Sequence, residues 1–264
     1  MIRQRNNFLW FKFNAASRWV LVHLFSDFFP LYVVNEYPKS GGTWLSQMLS
    51  EALGVPFPRQ RLPVLKSSIM HGHYIRPGNI SNMVILWRDG RDVLISQYYH
   101  SLFQNETENT RLVNITQKNF NCTNCNDIVN NLYDFIDYTY NRKITPKFSW
   151  ADFAAVWAGN PNAVHVKYED LRREPASELR RVYNELTGKK LDYQRSVYIA
   201  EKYSFARMSG RSPGEENARS FMRKGVIGDW KNYFTSEAKF LFDQVAGESL
   251  INLGYERDHS WIYD

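Results

Sequence analysis

With 264 residues, 44% of them hydrophobic and 16% aromatic, the chain can bury a substantial core in one α/β domain, and no Gly/Ser/Pro-rich linker divides it. A formal net charge of +6 favours anionic ligands, and a nucleotide satisfies it as well as a nucleic acid or a membrane surface would. The sequence has no Lys/Arg block and no recurring unit of solenoid length, which excludes a basic tail and a repeat array.

Residues 1–30 read as an apolar N-terminal helical segment and residues 31–264 as a single domain. The stretch 8–29 is interrupted by Lys12, Arg18, His23 and Asp27, which hydrocarbon does not tolerate singly, so it is no membrane span. Phe11, Ala15, Val22, Phe25 and Phe29 share a helical face expected to pack on the domain. The alternative is association with a membrane surface, with Arg3 and Arg5 near the start. Lys12 also interrupts the apolar run that a cleaved signal peptide needs.

Residues 31–34 predict a short buried strand, followed by a Gly pair and an apolar-periodic helix over 43–53. Residues 67–71 predict a second strand, ended by Gly72, and 83–87 (Met-Val-Ile-Leu-Trp) a central parallel strand. A helix is expected over 91–103, then an Asn- and Thr-rich inserted loop over 104–125. Within that loop Cys122 and Cys125 supply only two of the four ligands of a structural zinc, so two thiols or a local disulfide is the plainer reading. Sequons at Asn79, Asn105, Asn114 and Asn121 raise a secretory-pathway reading without deciding it. Helices follow over 127–140 and 149–158, a strand over 163–168 and a helix over 176–186. Strands alternating with helices imply a doubly wound, mainly parallel sheet with helices on both faces, a three-layer α/β fold.

Three segments carry chemistry. In Tyr37-Pro38-Lys39-Ser40-Gly41-Gly42-Thr43-Trp44-Leu45 the glycines allow a sharp turn and a close approach of backbone N–H groups. The helix N-terminus adds its positive dipole end, and Lys39, Ser40 and Thr43 add donors, so the loop suits phosphate oxygens. Its lysine precedes the glycines, unlike the G-x-x-x-x-G-K-[ST] order of an ATP/GTP loop. The plainer alternative is a strand-to-helix turn with incidental Lys and Ser. In residues 88–96 an Arg leaves the C-terminal end of the central strand, where open α/β sheets bind ligands, and Ser96 follows on the next helix. Arg88 and Ser96 suit one phosphate group, while Arg91 fits an Arg–Asp network capped by Asp89 or Asp92. In residues 221–235, Arg223 and Lys224 with Gly225 and Gly228 form a flexible cationic loop, and Phe221 or Met222 can press on a base ring.

The three segments in this order resemble the sulfotransferases that use 3′-phosphoadenosine-5′-phosphosulfate (PAPS), with a P-loop NTPase-like fold. Tyr37 to Trp44 is similar to that family's Y-P-K-S-G-T-T-W loop, and residues 88–96 to its R-x-x-[RK]-D-x-x-x-S segment. Arg223 to Asn232 is similar to the R-K-G-x-x-G-D-W-K-N signature of the cytosolic branch. Tyr168-Glu169-Asp170-Leu171, and Ser204-Phe205 with Met208, resemble two further landmarks. The resemblance implies that Lys39, Ser40, Gly41, Gly42, Thr43 and Trp44 hold the 5′-phosphosulfate and adenine side. It implies Arg88 and Ser96 on the 3′-phosphate, assisted by Arg223, Lys224 and Gly225, with Tyr168 against the adenine. Lys39, His71 and Ser96 become the catalytic set. His71, in Ile69-Met70-His71-Gly72-His73, matches the family's general base, with His73 as near neighbour.

The implied reaction is in-line sulfuryl transfer to an acceptor hydroxyl or amine, with no metal and no nucleic acid. The acceptor is a small molecule, lipid or glycan, set by loops around 56–68, 102–147 and 203–220. Ile69 stands where the family usually has a second active-site lysine, Gly42 replaces a Thr, and Tyr203 stands where an adenosine-contacting Thr is frequent. Of the family's dimer motif only Lys231 and Thr235 match, which leaves oligomeric state open. A cytoplasmic location is expected, with the secretory lumen or a peripheral membrane as alternatives. The rival functions are a P-loop small-molecule kinase and a non-catalytic nucleotide-binding protein of the same fold.

Overall fold

The computed structural model describes residues 8–25, 30–59, 65–76, 80–107 and 109–264. Arg3, Arg5, Asp27, Phe29 and the sequon Asn79 lie outside the described residues, as do the side chains of Phe11, Lys12 and His23. The chain forms two compact units, Met1–Trp87 with Asn160–Met208, and Arg88–Gly159 with Ser209–Asp264.

The first unit begins with helix α1 (Phe8–Leu24) and holds the sheet. Strands β1 (Leu31–Glu36), β2 (Ser68–Gly72), β3 (Met83–Trp87) and β4 (Ala163–Lys167) run in the order β2-β1-β3-β4, all parallel, as the strand–helix alternation predicts. Val34 pairs with His71 on one side and Val84 on the other, and Val84 with Val164. Side chains alternate along a strand, so Val34 and Glu36 share one face with Ile69, His71, Val84, Leu86 and Val166. Helix α2 (Gly42–Leu53) contributes Leu45, Met48 and Leu49 to the core over these residues. The core also takes in Leu179 and Val182 of a helix over Pro175–Thr187, and Ile199 of one over Tyr193–Lys202. Glu36 is therefore the polar last member of an apolar row, at the carboxyl end of the sheet.

Among the described side chains of α1, Arg18, Leu21 and Val22 are buried; Val22 packs as expected, whereas Ala15 and, just past the helix, Phe25 are exposed. The burial is centred on Arg18 because its guanidinium donates to Asn14 Oδ1 (3.0 Å) and to the carbonyls of Pro58 (3.2 Å) and Arg59. Among the described residues no helix is long and apolar enough to cross a membrane.

The second unit is helical. Helices α3 (Gly90–Leu102), α4 (Thr110–Asn119), α5 (Ile128–Asp137) and α6 (Trp150–Trp157) precede β4 in the chain. The second unit closes with α11 (Ser236–Asn252), whereas α7 (Tyr168–Arg173), α8 (Pro175–Thr187), α9 (Tyr193–Lys202) and all but the last residue of α10 (Phe205–Ser209) belong to the first unit. Helix α4 corrects the expected 104–125 loop: Val113, Thr116 and Phe120 are buried at helical spacing, which outweighs the Asn-rich composition. Phe120 meets Phe135 (5.4 Å between ring centroids), and Phe135 meets Tyr98 (4.9 Å). Cys122 and Cys125 are joined in a local disulfide.

Candidate active site

In the first unit, β1 delivers the chain into the 37–45 loop and α2 leaves it. Gly41 has φ 105° and Lys39 φ 78°, a left-handed backbone that a lysine adopts only at a cost of about 1–3 kcal/mol. Lys39 is half-buried. The buried Ser40 closes the turn, its Oγ donating to the Tyr37 carbonyl at 2.8 Å, so its hydroxyl shapes the loop. The first amides of α2 lack intrahelical acceptors and present a partial positive charge.

One of those amides already has a partner. Gly42 N–H donates to Glu36 Oε2, and Glu36 Oε1 lies 2.9 Å from His71 Nε2. A carboxylate accepts, so Nε2 carries the hydrogen and Nδ1 the lone pair of a neutral His71. His73 Nδ1 lies 2.9 Å from the Glu36 carbonyl, which fixes its hydrogen on Nδ1 in the same way. The His71 and His73 rings meet edge to face at 5.1 Å. Burial alone would raise the Glu36 carboxyl. The hydrogen bond from His71, the pull of the two imidazoles whenever they carry a proton, and the Gly42 amide hold it below its ordinary range, so it is ionised. Glu36 is 3% exposed. Among the described residues Glu36, His71 and His73 are the group able to offer three ligand atoms to a metal ion, all within 4.8 Å of one another. The close Glu36–His71 separation is that of a hydrogen bond.

The two departures at 42 and 69 have structural reasons. A Cβ on Gly42 would stand 2.6 Å from Glu36 Cδ and from His71 Nε2, so the pair fills the space that a larger residue would use. Ile69 is fully buried in the apolar cluster under α2, two residues before His71 on the same face. A lysine there would bury its ammonium among aliphatic side chains.

Trp44 and Tyr168 meet edge to face at 5.9 Å, with the Arg172 guanidinium 5.8 Å from the Trp44 ring. Trp44 Nε1 donates to the Tyr203 carbonyl at 2.8 Å, so Tyr203 contributes its backbone. A Cβ on Gly41 would meet the Tyr168 ring at 2.9 Å, which accounts for glycine there beyond its dihedrals. Loop, histidines and aromatic pair thus lie at one end of one sheet.

In the second unit Asp89 caps α3 by accepting from Arg91 N–H (2.9 Å) and pairs with the Arg91 guanidinium (2.8 Å). Arg91 also pairs with Glu256 (2.6 Å) and lies 3.8 Å over the Trp230 ring, a structural role as its spacing implies. Asp92 is buried and accepts from Gly228 N–H (2.8 Å) and Trp230 N–H (3.0 Å), pinning the cationic loop to α3. Arg88 lies 3.9 Å from Asp92 and reaches the Val226 carbonyl at 3.5 Å, and Ser96 is half-buried on α3. Arg223 and Lys224 are internally paired: Arg223 with Asp229 and with Glu216 (2.6 Å), Lys224 with Asp229 (2.6 Å). Arg223 also lies 4.7 Å over the Tyr99 ring. Phe221 N–H donates to Glu106 Oε1 at 2.9 Å.

Sequence reasoning passed over Glu36, Asp92 as an anchor, and the acids Glu216 and Asp229. The signal for Glu36 was a charged residue ending a strand of otherwise apolar inward positions, one step before the loop.

The sulfotransferase-domain family model matches residues 78–254, more than half of the chain. The chain belongs to the sulfotransferase family, the PAPS-dependent transferases that its motifs resemble. Human sulfotransferase 1C2 is 33% identical over 110 residues, 37% of this chain and 37% of its own length. Mouse sulfotransferase 1B1 is 24% identical over 277 residues, 87% of this chain and 86% of its own length. The crystal structure of mouse sulfotransferase SULT7A1 complexed with PAP superposes with a TM-score of 0.63 at 18% identity, covering 93% of this chain and 92% of that one. That likeness is one of fold.

Proposed function

We propose that this chain moves the sulfuryl group of PAPS to an acceptor hydroxyl, or amine, by in-line attack, with His71 as general base. The 37–45 loop carries this reading: left-handed Lys39 and Gly41 feed a helix N-terminus, and a hydrogen-bonded histidine stands beside it. Lys39, Gly41 and Thr43 hold the 5′-phosphosulfate on a loop shaped by Ser40 and by the Gly42 amide, which is donated to Glu36, and Trp44 and Tyr168 offer ring surface to the adenine. Arg88 and Ser96 hold the 3′-phosphate. Arg223 is committed to Asp229 and Glu216, so its share is to shape the loop that presents Lys224 and Gly225. Lys39 stabilises charge on the leaving oxygen and His71 takes the acceptor proton; positioning and charge stabilisation supply the rate. The acceptor is a small-molecule, lipid or sugar alcohol.

The test is sulfuryl transfer from labelled PAPS by purified Lys39→Ala and His71→Ala proteins, each checked for an unchanged melting temperature. Both are expected to lose turnover by at least about 100-fold. Full transfer by both would overturn the assignment.

A further inference from the structure

We infer that Glu36 is the positioning residue of this active site: its carboxylate fixes the tautomer and orientation of His71, so that Nδ1 is the nitrogen that takes the acceptor proton. The inference rests on reading His71 as the base.

A carboxylate is a costly group to bury beside a loop built for an anion. Coulomb repulsion from a bound phosphosulfate disfavours it, and so does its own desolvation. Its retention calls for a compensating partner, and the geometry supplies one on each oxygen: Oε2 accepts from Gly42 N–H and Oε1 from His71 Nε2, at 2.9 Å. The Glu36 carbonyl also takes the His73 Nδ1 hydrogen at 2.9 Å, so one residue orients both rings. A second, independent observation is the emptiness of position 42. A Cβ there would collide at 2.6 Å with Glu36 Cδ and with His71 Nε2, so the glycine and the pair are matched to each other. The arrangement lies on strand ends and a helix N-terminus, the parts of the unit best able to hold a ring still.

A carboxylate that accepts from one imidazole nitrogen stabilises the imidazolium formed when the other is protonated, and so strengthens the base. As His71 Nδ1 takes the acceptor proton, Nε2–H remains donated to Glu36 and no proton need pass to the carboxylate. Charge is balanced within the pair while the acceptor oxygen attacks sulfur.

The sign of the effect on pH follows. A base is idle once protonated, and an ionised carboxylate beside an imidazole favours the protonated form, so loss of the carboxylate is expected to carry the acid limb of activity to lower pH. Glu36→Gln is therefore expected to lower kcat about 10- to 100-fold, with the acid limb of the kcat profile moved to lower pH. PAP affinity, measured by calorimetry, should not fall, because the substitution removes a like charge beside the loop, and this also serves as the check on folding. Glu36→Asp keeps the charge on a shorter arm and should recover part of the rate and of the limb. In a His71→Ala background Glu36→Gln should change the residual rate by less than about twofold, because the two act as one unit. An unchanged kcat and acid limb in Glu36→Gln, with His71→Ala inactive, would overturn the positioning role and leave the base standing. Equal losses of kcat and PAP affinity without a moved limb would show a structural role only, and overturn it too. Turnover by His71→Ala within about tenfold of the wild-type rate would overturn both readings.

Discussion

At position 42 a single missing side chain records how the active-site residues fit together. The loop motif invites comparison with chains that carry a Thr there, yet Glu36 and His71 occupy its volume. Gly42→Ala is expected to force the pair apart and lower kcat by at least about tenfold, since misplacement by about an ångström costs that much or more in a preorganised site. The comparison is kcat of the variant against wild type with PAP affinity held as control; an unchanged kcat would show that the pair tolerates displacement. Lys39, His71 and the glycines could be singled out as candidates because each belongs to a motif written in residue type and order. Glu36 could not, because its role depends on strand register: only the pairing of β1 with β2 sets it beside His71, 35 positions away. Ile69 was legible as a departure, but its reason, burial under α2, is a packing fact.

Among the elements, the 221–235 loop changed most on moving from sequence to structure. Two cations and two glycines read as a flexible arm for a polyanion. The folded loop is held by Asp92 through Gly228 and Trp230 amides, and its cations by Asp229 and Glu216. Acids at 216, 229 and 92 are scattered in sequence, so their convergence on one turn was invisible to a local reading. Lys224, Arg223 and Asn232 hold the Asp229 carboxyl below its usual range against the opposing effect of burial. A depressed folded pKa contributes stability above the unfolded value, near pH 4, and loses it as pH falls through the folded value. Asp229→Asn leaves Arg223 buried with one acidic partner and is expected to cost about 3 kcal/mol at pH 7, read by urea unfolding. That deficit should shrink below about pH 4; a deficit constant from pH 7 to pH 3 would contradict the assignment. Helix α4 makes the complementary point: Val113, Thr116 and Phe120 carried a helical period that Asn-rich neighbours concealed.

For the whole molecule, the parallel sheet and the family were legible because both rest on order along the chain: strand, loop, helix, then three motif segments in sequence. Composition contributed only a bias, a net charge of +6 that many functions share. In the proposed reading the 3′-phosphate is what separates PAPS chemistry from ATP chemistry, since Arg88 and Ser96 would have no task with a nucleotide that lacks it. The decisive measurement incubates the purified protein with PAPS labelled in its sulfuryl group, beside ATP labelled in its γ-phosphate, and a panel of phenols, sterols, lipids and glycans. The account expects label from PAPS on at least one acceptor, released PAP in equal amount, and none of either from an Arg88→Ala/Lys39→Ala protein. Transfer of the γ-phosphate of ATP, with PAPS left intact across the panel, would contradict it.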